Sequence, residues 1–347
     1  MLFTINELLK KAYISQASDL HLTVDSPPVY RINGNLILNG EEVLTRNHTE
    51  ELARELLSES DWDRLMNEGE IDTSYSIKNV SRYRINVYHQ LGNIGIVARV
   101  VPQAIPSLEQ LQMPTVLQEL ALKSQGLILV TGPTGSGKST TMAAMIDYVN
   151  QRKSKHVITL EDPIEFVHSH KKSIINQREV GTDTQSFANG LRSALRQDPD
   201  IILVGEMRDH TTISTALTAA ETGHLVLATL HTNSAAQTIN RIIDVFPPHQ
   251  QAQIRIQLAS VLTGVISQRL LPRTDGSGRI AATEILVNLP AVGNLIRNEK
   301  VDQIPNVLQT NRSAGMHTLE MSITNLLTNG LIQNEVAKEF LPGVGDY

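Results

Sequence analysis

The sequence predicts a two-domain α/β protein: an α+β domain over residues 1–101, a linker over 102–116 and a parallel α/β domain over 117–347. Three observations predict it. The first hundred residues mix hairpin signals with helical spacing. Beyond the linker, short wholly apolar runs alternate with amphipathic helical stretches, the pattern of a parallel sheet covered on both faces. Between the first such run and the first such helix lies a glycine-rich loop, Gly132–Thr140. A length of 347 residues suits two domains at roughly 150 residues each.

In the first domain, Asn6–Ile14 and Thr49–Leu65 space their apolar residues as helices do. Val29–Ile32 and Asn35–Leu38 flank Asn33-Gly34. Asn-Gly accepts the positive φ angles of a type I′ turn, so this reads as a hairpin. Tyr83–His89 and Ile94–Val101 read as a second hairpin with Gly92-Asn93 at its turn. That turn sets position 86 opposite 99 and puts 84 and 99 diagonally on one face. Pro102, Pro106 and Pro114 punctuate the linker.

In the second domain, strands are expected at Leu127–Thr131, Val157–Leu160, Ile201–Val204 and Leu225–Leu230. Helices are expected at Lys138–Asn150, Phe187–Gln197 and Thr211–Thr222. A long helix is expected to follow, because Ile254, Leu258, Val261, Leu262, Val265 and Leu270 recur at helical spacing.

Composition narrows the chemistry. Cysteine is absent, which removes disulfides, thiolate metal sites and Cys nucleophiles. The net charge is −6, and neither residues 1–100 (14 acidic, 10 basic) nor the remainder (22 acidic, 20 basic) has a basic excess. Composition therefore gives no support to direct nucleic-acid binding. The longest apolar runs, such as Leu127–Val130, are far shorter than the roughly 20 residues of a membrane span. The start, Met1-Leu-Phe-Thr-Ile-Asn-Glu7, lacks a basic segment followed by an apolar block. A cytoplasmic protein without a membrane span is the expectation.

Gly132, Pro133, Thr134, Gly135, Ser136, Gly137, Lys138, Ser139 and Thr140 satisfy the spacing G-x-x-x-x-G-K-[S/T]. An expected strand runs into this loop and an expected helix leaves it, which is the context the motif needs. Glycines let backbone N–H groups turn inward around a polyphosphate. The helix N-terminus adds partial positive charge. Lys138 should reach the β- and γ-phosphates, and the Ser139 hydroxyl should ligate Mg²⁺. ATP and Mg²⁺ are the expected ligands.

Carboxylates collect at the expected strand ends. Glu161, Asp162 and Glu165 follow one strand, and Glu206 follows another. Ligands in open α/β sheets bind at such ends. Glu206 is the candidate general base, and Glu161 and Asp162 are candidate metal supports. Gly205 stands where many nucleotide-binding enzymes carry a metal-holding Asp. Asp209, ahead of a helix, reads as a cap. His168 and His170 read as an exposed loop. His224 and His231 bracket the strand Leu225–Leu230, and neutral imidazole there could bond a γ-phosphate or its attacking water. Zinc is the alternative, although the spacing is not i, i+4 on a helix.

Together these residues resemble the secretion and type IV pilus ATPases, the type II/IV secretion NTPases. Gly132–Thr140 resembles the family's Walker A motif. Ile158-Thr-Leu-Glu-Asp-Pro-Ile-Glu165 resembles its Asp box, and Ile202-Leu-Val-Gly-Glu-Met-Arg-Asp209 its atypical Walker B, with glycine before the glutamate. Thr222–Asn233 resembles its His box. The match is closest to the pilus-retraction branch. Ala17-Ser-Asp-Leu-His-Leu22 and Pro27-Pro-Val-Tyr-Arg-Ile-Asn-Gly34 resemble that branch's N-terminal signature. Ala291–Arg297 resembles its C-terminal motif, with Val292-Gly293 in place of Ile-Arg and Asn298 in place of Glu.

The resemblance implies a PAS-like N-terminal domain, a RecA-like ATPase domain and a ring-shaped homohexamer. It implies peripheral association with the inner face of the cell membrane, through an inner-membrane pilus platform protein. It assigns Arg84 and Arg99 as arginine fingers at the nucleotide, with Arg82 a weaker candidate. Arg192 and Arg196 read as surface or subunit-contact residues. His231 would sense the γ-phosphate. The implied activity is ATP hydrolysis driving pilus retraction and twitching motility. The alternatives are a pilus-assembly or type II secretion ATPase and a non-hydrolysing nucleotide-binding accessory subunit. Assembly-type members usually add an N-terminal extension and a tetracysteine zinc motif, and neither is expected here.

Overall fold

The computed structural model describes residues 4–78, 80–101 and 104–341. Pro102 and Gln103, where the linker was expected to begin, lie outside the described residues, as do the chain's first three and last six. Contacts divide the chain into two units, Met1–Ala104 with Glu165–Val167, and Ile105–Ile164 with His168–Tyr347.

The first unit runs α1 (Ile5–Ile14), β1 (Asp19–Leu22), β2 (Val29–Ile32), β3 (Asn35–Leu38), α2 (Arg46–Leu56), α3 (Glu59–Glu68), β4 (Glu70–Ile77), β5 (Ser81–Gln90) and β6 (Asn93–Val100). Thr4 starts α1 with a capping box that includes Glu7. The strands form one antiparallel sheet in the order β3-β2-β1-β6-β5-β4. Alternation along β5 decides its faces: Tyr83, Ile85 and Val87 are wholly buried, while Arg84 is exposed. The buried face packs on α1, where Tyr83 Oη donates to the Leu9 carbonyl at 2.9 Å and Tyr30 Oη to that of Leu8 at 3.1 Å. The opposite face carries the arginines.

Two expectations are corrected here. Thr49–Leu65 is not one helix: Leu57 is extended, and Ser58 restarts the chain as the N-cap of α3 by accepting from Asp61 N. The second hairpin turns on Leu91-Gly92, one residue earlier than expected. Both have positive φ, 49° and 76°, as a type I′ turn requires. Arg84 therefore sits directly opposite Arg99 rather than diagonal to it. The partner shifts by two positions, so the face is unchanged.

The second unit continues with α4 (Val116–Ala121), β7 (Gly126–Thr131), α5 (Lys138–Arg152), β8 (His156–Glu161), β9 (Ile174–Glu179), α6 (Phe187–Ala194), β10 (Ile201–Val204), α7 (His210–Glu221) and β11 (Leu225–Leu230). Then come α8 (Ala235–Asp244), α9 (Pro248–Val261), β12 (Leu262–Pro272), β13 (Arg279–Val287), α10 (Pro290–Arg297), α11 (Ile304–Thr310), α12 (Leu319–Thr328) and α13 (Asn334–Lys338). Its sheet has the order β13-β12-β7-β11-β10-β8-β9, parallel except for β13. Every residue of β7, β10 and β11 is buried, which explains their continuous apolar runs. One core lies on each side of the sheet. This is the RecA-like ATPase arrangement.

The expected long helix is also corrected. It ends at Val261, and Leu262, Val265 and Leu270 lie on β12. Val265 and Ile266 are both wholly buried, on opposite faces of the strand. Apolar residues on both faces mimic helical spacing, and only pairing with β7 and β13 distinguishes the two. The expected linker also changes. Leu108 and Met113, within 102–116, are buried in the second unit's core. Among the described residues no helix is long and apolar enough to cross a membrane.

Candidate functional site

The order β7-β11-β10-β8 places four loops in a row along the sheet's C-terminal edge. They carry Gly132–Gly137, His231, Gly205–Glu206 and Glu161–Asp162. Four segments far apart in sequence thus meet because their strands are parallel neighbours.

The phosphate loop closes on itself. Gly132, Gly135 and Gly137 have φ of 142°, 77° and 87°, which side-chain-bearing residues rarely adopt. A Cβ at Gly132 would stand 2.4 Å from the Gln268 carbonyl oxygen, so no side chain fits. Lys138, the first residue of α5, donates from Nζ to the carbonyls of Gly132 (2.9 Å) and Pro133 (3.0 Å). Its ammonium is thereby held across the loop at the positive end of a helix. The Ser136 hydroxyl is buried there with no hydrogen-bond partner. These features fit a polyphosphate. A cavity of about 380 Å³ opens beside the loop, lined by Gly137, Thr140, Leu270, Arg273 and Arg279 among others.

Gln268 is a contact of the phosphate loop that sequence reasoning missed. From β12 its Nε2 donates to the Ser136 carbonyl at 2.6 Å, and its Oε1 accepts from Thr141 Oγ1 at 3.0 Å. It braces the loop against the helix. Its signal lay in a register between β12 and β7 that no local pattern encodes.

Glu206 follows β10, with its side chain 19% exposed. One of its oxygens, Oε1, accepts from Arg208 Nε and lies 3.2 Å from His231 Nε2. The carboxylate raises Arg208 above its usual value, chiefly through that hydrogen bond. Arg208 was legible only as part of the motif, with no role attached. Glu161 ends β8 and accepts from Thr159 Oγ1 at 2.7 Å and Gln177 Nε2 at 3.1 Å. Asp162, next to it, is exposed. Among the described residues no three His, Cys, Asp or Glu side chains converge to hold a metal. The donor set fits Mg²⁺ held chiefly by phosphate oxygens and the Ser139 hydroxyl, the usual mode for this ion.

Gly205 has a structural reason. Its N–H donates to the Leu160 carbonyl at 2.7 Å. A Cβ would meet that same oxygen at 3.1 Å and Glu161 Cα at 3.3 Å. Both are backbone atoms and cannot swing away. Gly205→Ala is expected to cost about 1–3 kcal/mol, as overpacking does, and to lower the melting temperature. An unchanged melting temperature would show that β8 and β10 tolerate the spread.

The structure does not bring His224 to this edge. It precedes β11, and its Nδ1 bonds to the Ala219 carbonyl at 2.9 Å. Seven steps along the strand at about 3.3 Å each separate it from His231 by roughly 23 Å. The two histidines bracket one strand, but only His231 faces the phosphate loop's end of the sheet. His168 is also reassigned: its Nδ1 is buried without a partner, and burial pushes the imidazole down to about 4. Asp209 caps α7, with Oδ1 accepting from Thr212 N at 2.9 Å. Arg192 and Arg196 are exposed.

In the first unit, Arg84 and Arg99 face each other on the exposed side of the sheet. Arg99 Nε donates to Asp19 at 2.8 Å. Arg82 Nη2 donates to Ser74 Oγ at 2.7 Å.

Comparison with known proteins bears on these geometries. The type II/IV secretion system protein family matches residues 2–337. The chain is 48% identical to the type IV pilus retraction ATPase PilT of Pseudomonas aeruginosa, over 96% of this chain and 97% of that protein. It is 46% identical to a twitching motility protein of Neisseria gonorrhoeae, over 97% of this chain and 90% of that protein. It superposes on a crystal structure of the pilus retraction motor PilT with bound ADP at a TM-score of 0.91 and 48% identity, covering 99% of this chain and 98% of that one.

Proposed function

The chain belongs to the type II/IV secretion system protein family, and from that membership we propose that it is an ATP-hydrolysing motor that retracts type IV pili. The observation that carries the reading is the row of loops at one sheet edge, which sets Lys138, His231 and Glu206 side by side. The nucleotide's phosphates lie on Gly132–Thr140, and its base and ribose enter the cavity beside Gly137. Lys138 balances phosphate charge. Glu206 accepts a proton from the attacking water, and His231, whose Nε2 lies 3.2 Å from Glu206 Oε1, reports the γ-phosphate's presence. Mg²⁺, when bound, would neutralise phosphate charge; Ser139 would hold it, and Glu161 and Asp162 would support its water shell.

Arg84 and Arg99 of a neighbouring copy complete the site in a homohexameric ring. Two facing arginines repel, Asp19 pairs with Arg99, and a nucleotide's phosphates are an anion that could join both arginines. The ring sits at the inner face of the cell membrane against a pilus platform protein. The identities with retraction and twitching proteins favour retraction over assembly.

The test is pilus number after deletion of the gene in its host. Excess pili with lost twitching is the expected result, with rescue by the wild-type gene. Cells without pili would reverse the direction of the motor.

A further inference from the structure

We infer that Asp19 is the positioning residue that makes Arg99, rather than Arg84, the pre-oriented member of the arginine pair. The inference rests on the proposal that these arginines act at a neighbouring copy's nucleotide. Cross-strand pairing sets one row across the exposed face of the first sheet: Arg31, Asp19, Arg99 and Arg84. Three cations thus share one acid. Arg31 does not compete for it, since its Nη1 turns to the Gly34 carbonyl at 2.9 Å.

The Asp19 side chain is 9% exposed, while that of Arg99 is 68% exposed. The pair therefore has a fixed, buried anionic end and a cationic end in solvent. Asp19 is itself fixed, because Ser18 Oγ donates to its Oδ2 at 2.9 Å. Burial alone would raise its pKa, but the bonds from Arg99 and Ser18 outweigh burial and hold the carboxyl below its usual range. It is an anion at neutral pH.

The contact to Arg99 is made through Nε. A guanidinium has five N–H donors in a rigid fork. Bonding at Nε uses one of the five and leaves the Nη donors for an oxyanion. The bond also fixes the plane of the fork, so less freedom is lost when a phosphate binds. Among the described residues no carboxylate pairs with Arg84, directly across the strand pair. Asp19 also offsets part of the repulsion that would otherwise splay the two arginines. Lysine cannot substitute for Arg99 here: one ammonium cannot both bond Asp19 in this way and present a fork.

The test uses the full chain as assembled protein, with steady-state hydrolysis of ATP and thermal melting. Asp19→Asn is expected to lower kcat about 10- to 100-fold, the scale of a mispositioned catalytic group, with KM nearly unchanged. Arg99→Gln is expected to lower kcat at least as far. The double variant is expected to be no slower than Arg99→Gln alone, because Asp19 acts through Arg99. Wild-type kcat in Asp19→Asn beside an impaired Arg99→Gln would overturn the inference and leave the arginine reading standing. Multiplied losses in the double variant would also overturn it. Wild-type kcat in both Arg84→Gln and Arg99→Gln would overturn the arginine reading and the role of Asp19 with it. Should Asp19→Asn fail to fold, Arg99→Lys decides. A loss matching Arg99→Gln supports the anchored fork, and wild-type kcat overturns it.

Discussion

Glu206→Gln is expected to lower ATP hydrolysis by about 10²–10⁴-fold, the usual contribution of a general base. Glutamine has the same shape, so its amide oxygen can still lie beside His231 Nε2 as the carboxylate does. It cannot take a proton from water. It also loses the charge that draws Arg208, so Arg208 is freed rather than the strand end disrupted. The proposed nucleotide contacts lie on the β7 loop, two strands away in the sheet order. Affinity for ATP is therefore expected to stay near wild type. Phosphate release and nucleotide titration on the same preparation check both halves. An unchanged rate would remove Glu206 from the mechanism, and lost binding would mean that its role is structural.

Lys138→Ala is expected to fail one step earlier. The side chain is nearly buried at 9% exposure, and its ammonium is the cation held across the phosphate loop. Its removal leaves the Gly132 and Pro133 carbonyls without that donor. A charge-assisted bond to phosphate is worth about 1.5–3 kcal/mol, or roughly 10- to 100-fold in affinity. Hydrolysis should fall below detection, because transition-state charge is lost as well. Titration with ADP separates the effects, since ADP lacks the γ-phosphate and should lose less affinity than ATP. Equal losses for the two nucleotides would place Lys138 away from the γ-phosphate. The pair of variants separates binding from chemistry: Glu206→Gln keeps the first, and Lys138→Ala loses both.

Much of this site was legible in the sequence because its parts are local. The phosphate loop is nine consecutive residues, and the strand ends that carry Glu161 and Glu206 announce themselves as apolar runs stopped by carboxylates. The Asn33-Gly34 hairpin was legible for the same reason: Asn33 and Gly34 adopt φ of 50° and 83°, and β2 and β3 pair around them. What failed depended on partners distant in the chain. Leu262, Val265 and Leu270 read as helix because burial on both faces gives apolar spacing without alternation. His224 and His231 looked equivalent because they flank one strand, yet a strand has two ends and only one meets the phosphate loop.

The sequence by itself determined the phosphate-binding chemistry, the α/β character of both units and the identity of the candidate base. Each follows from residue types at short spacing, where covalent geometry fixes what is near. Only the tertiary structure decided which of those residues meet. It put His231 on the Glu206 oxygen and Gln268 under the phosphate loop. It set Arg84 opposite Arg99 by turning one residue early, and it laid Asp19 beneath Arg99. Each of these depends on strand order or register, which is fixed when two faces bury together and not by any stretch of chain alone.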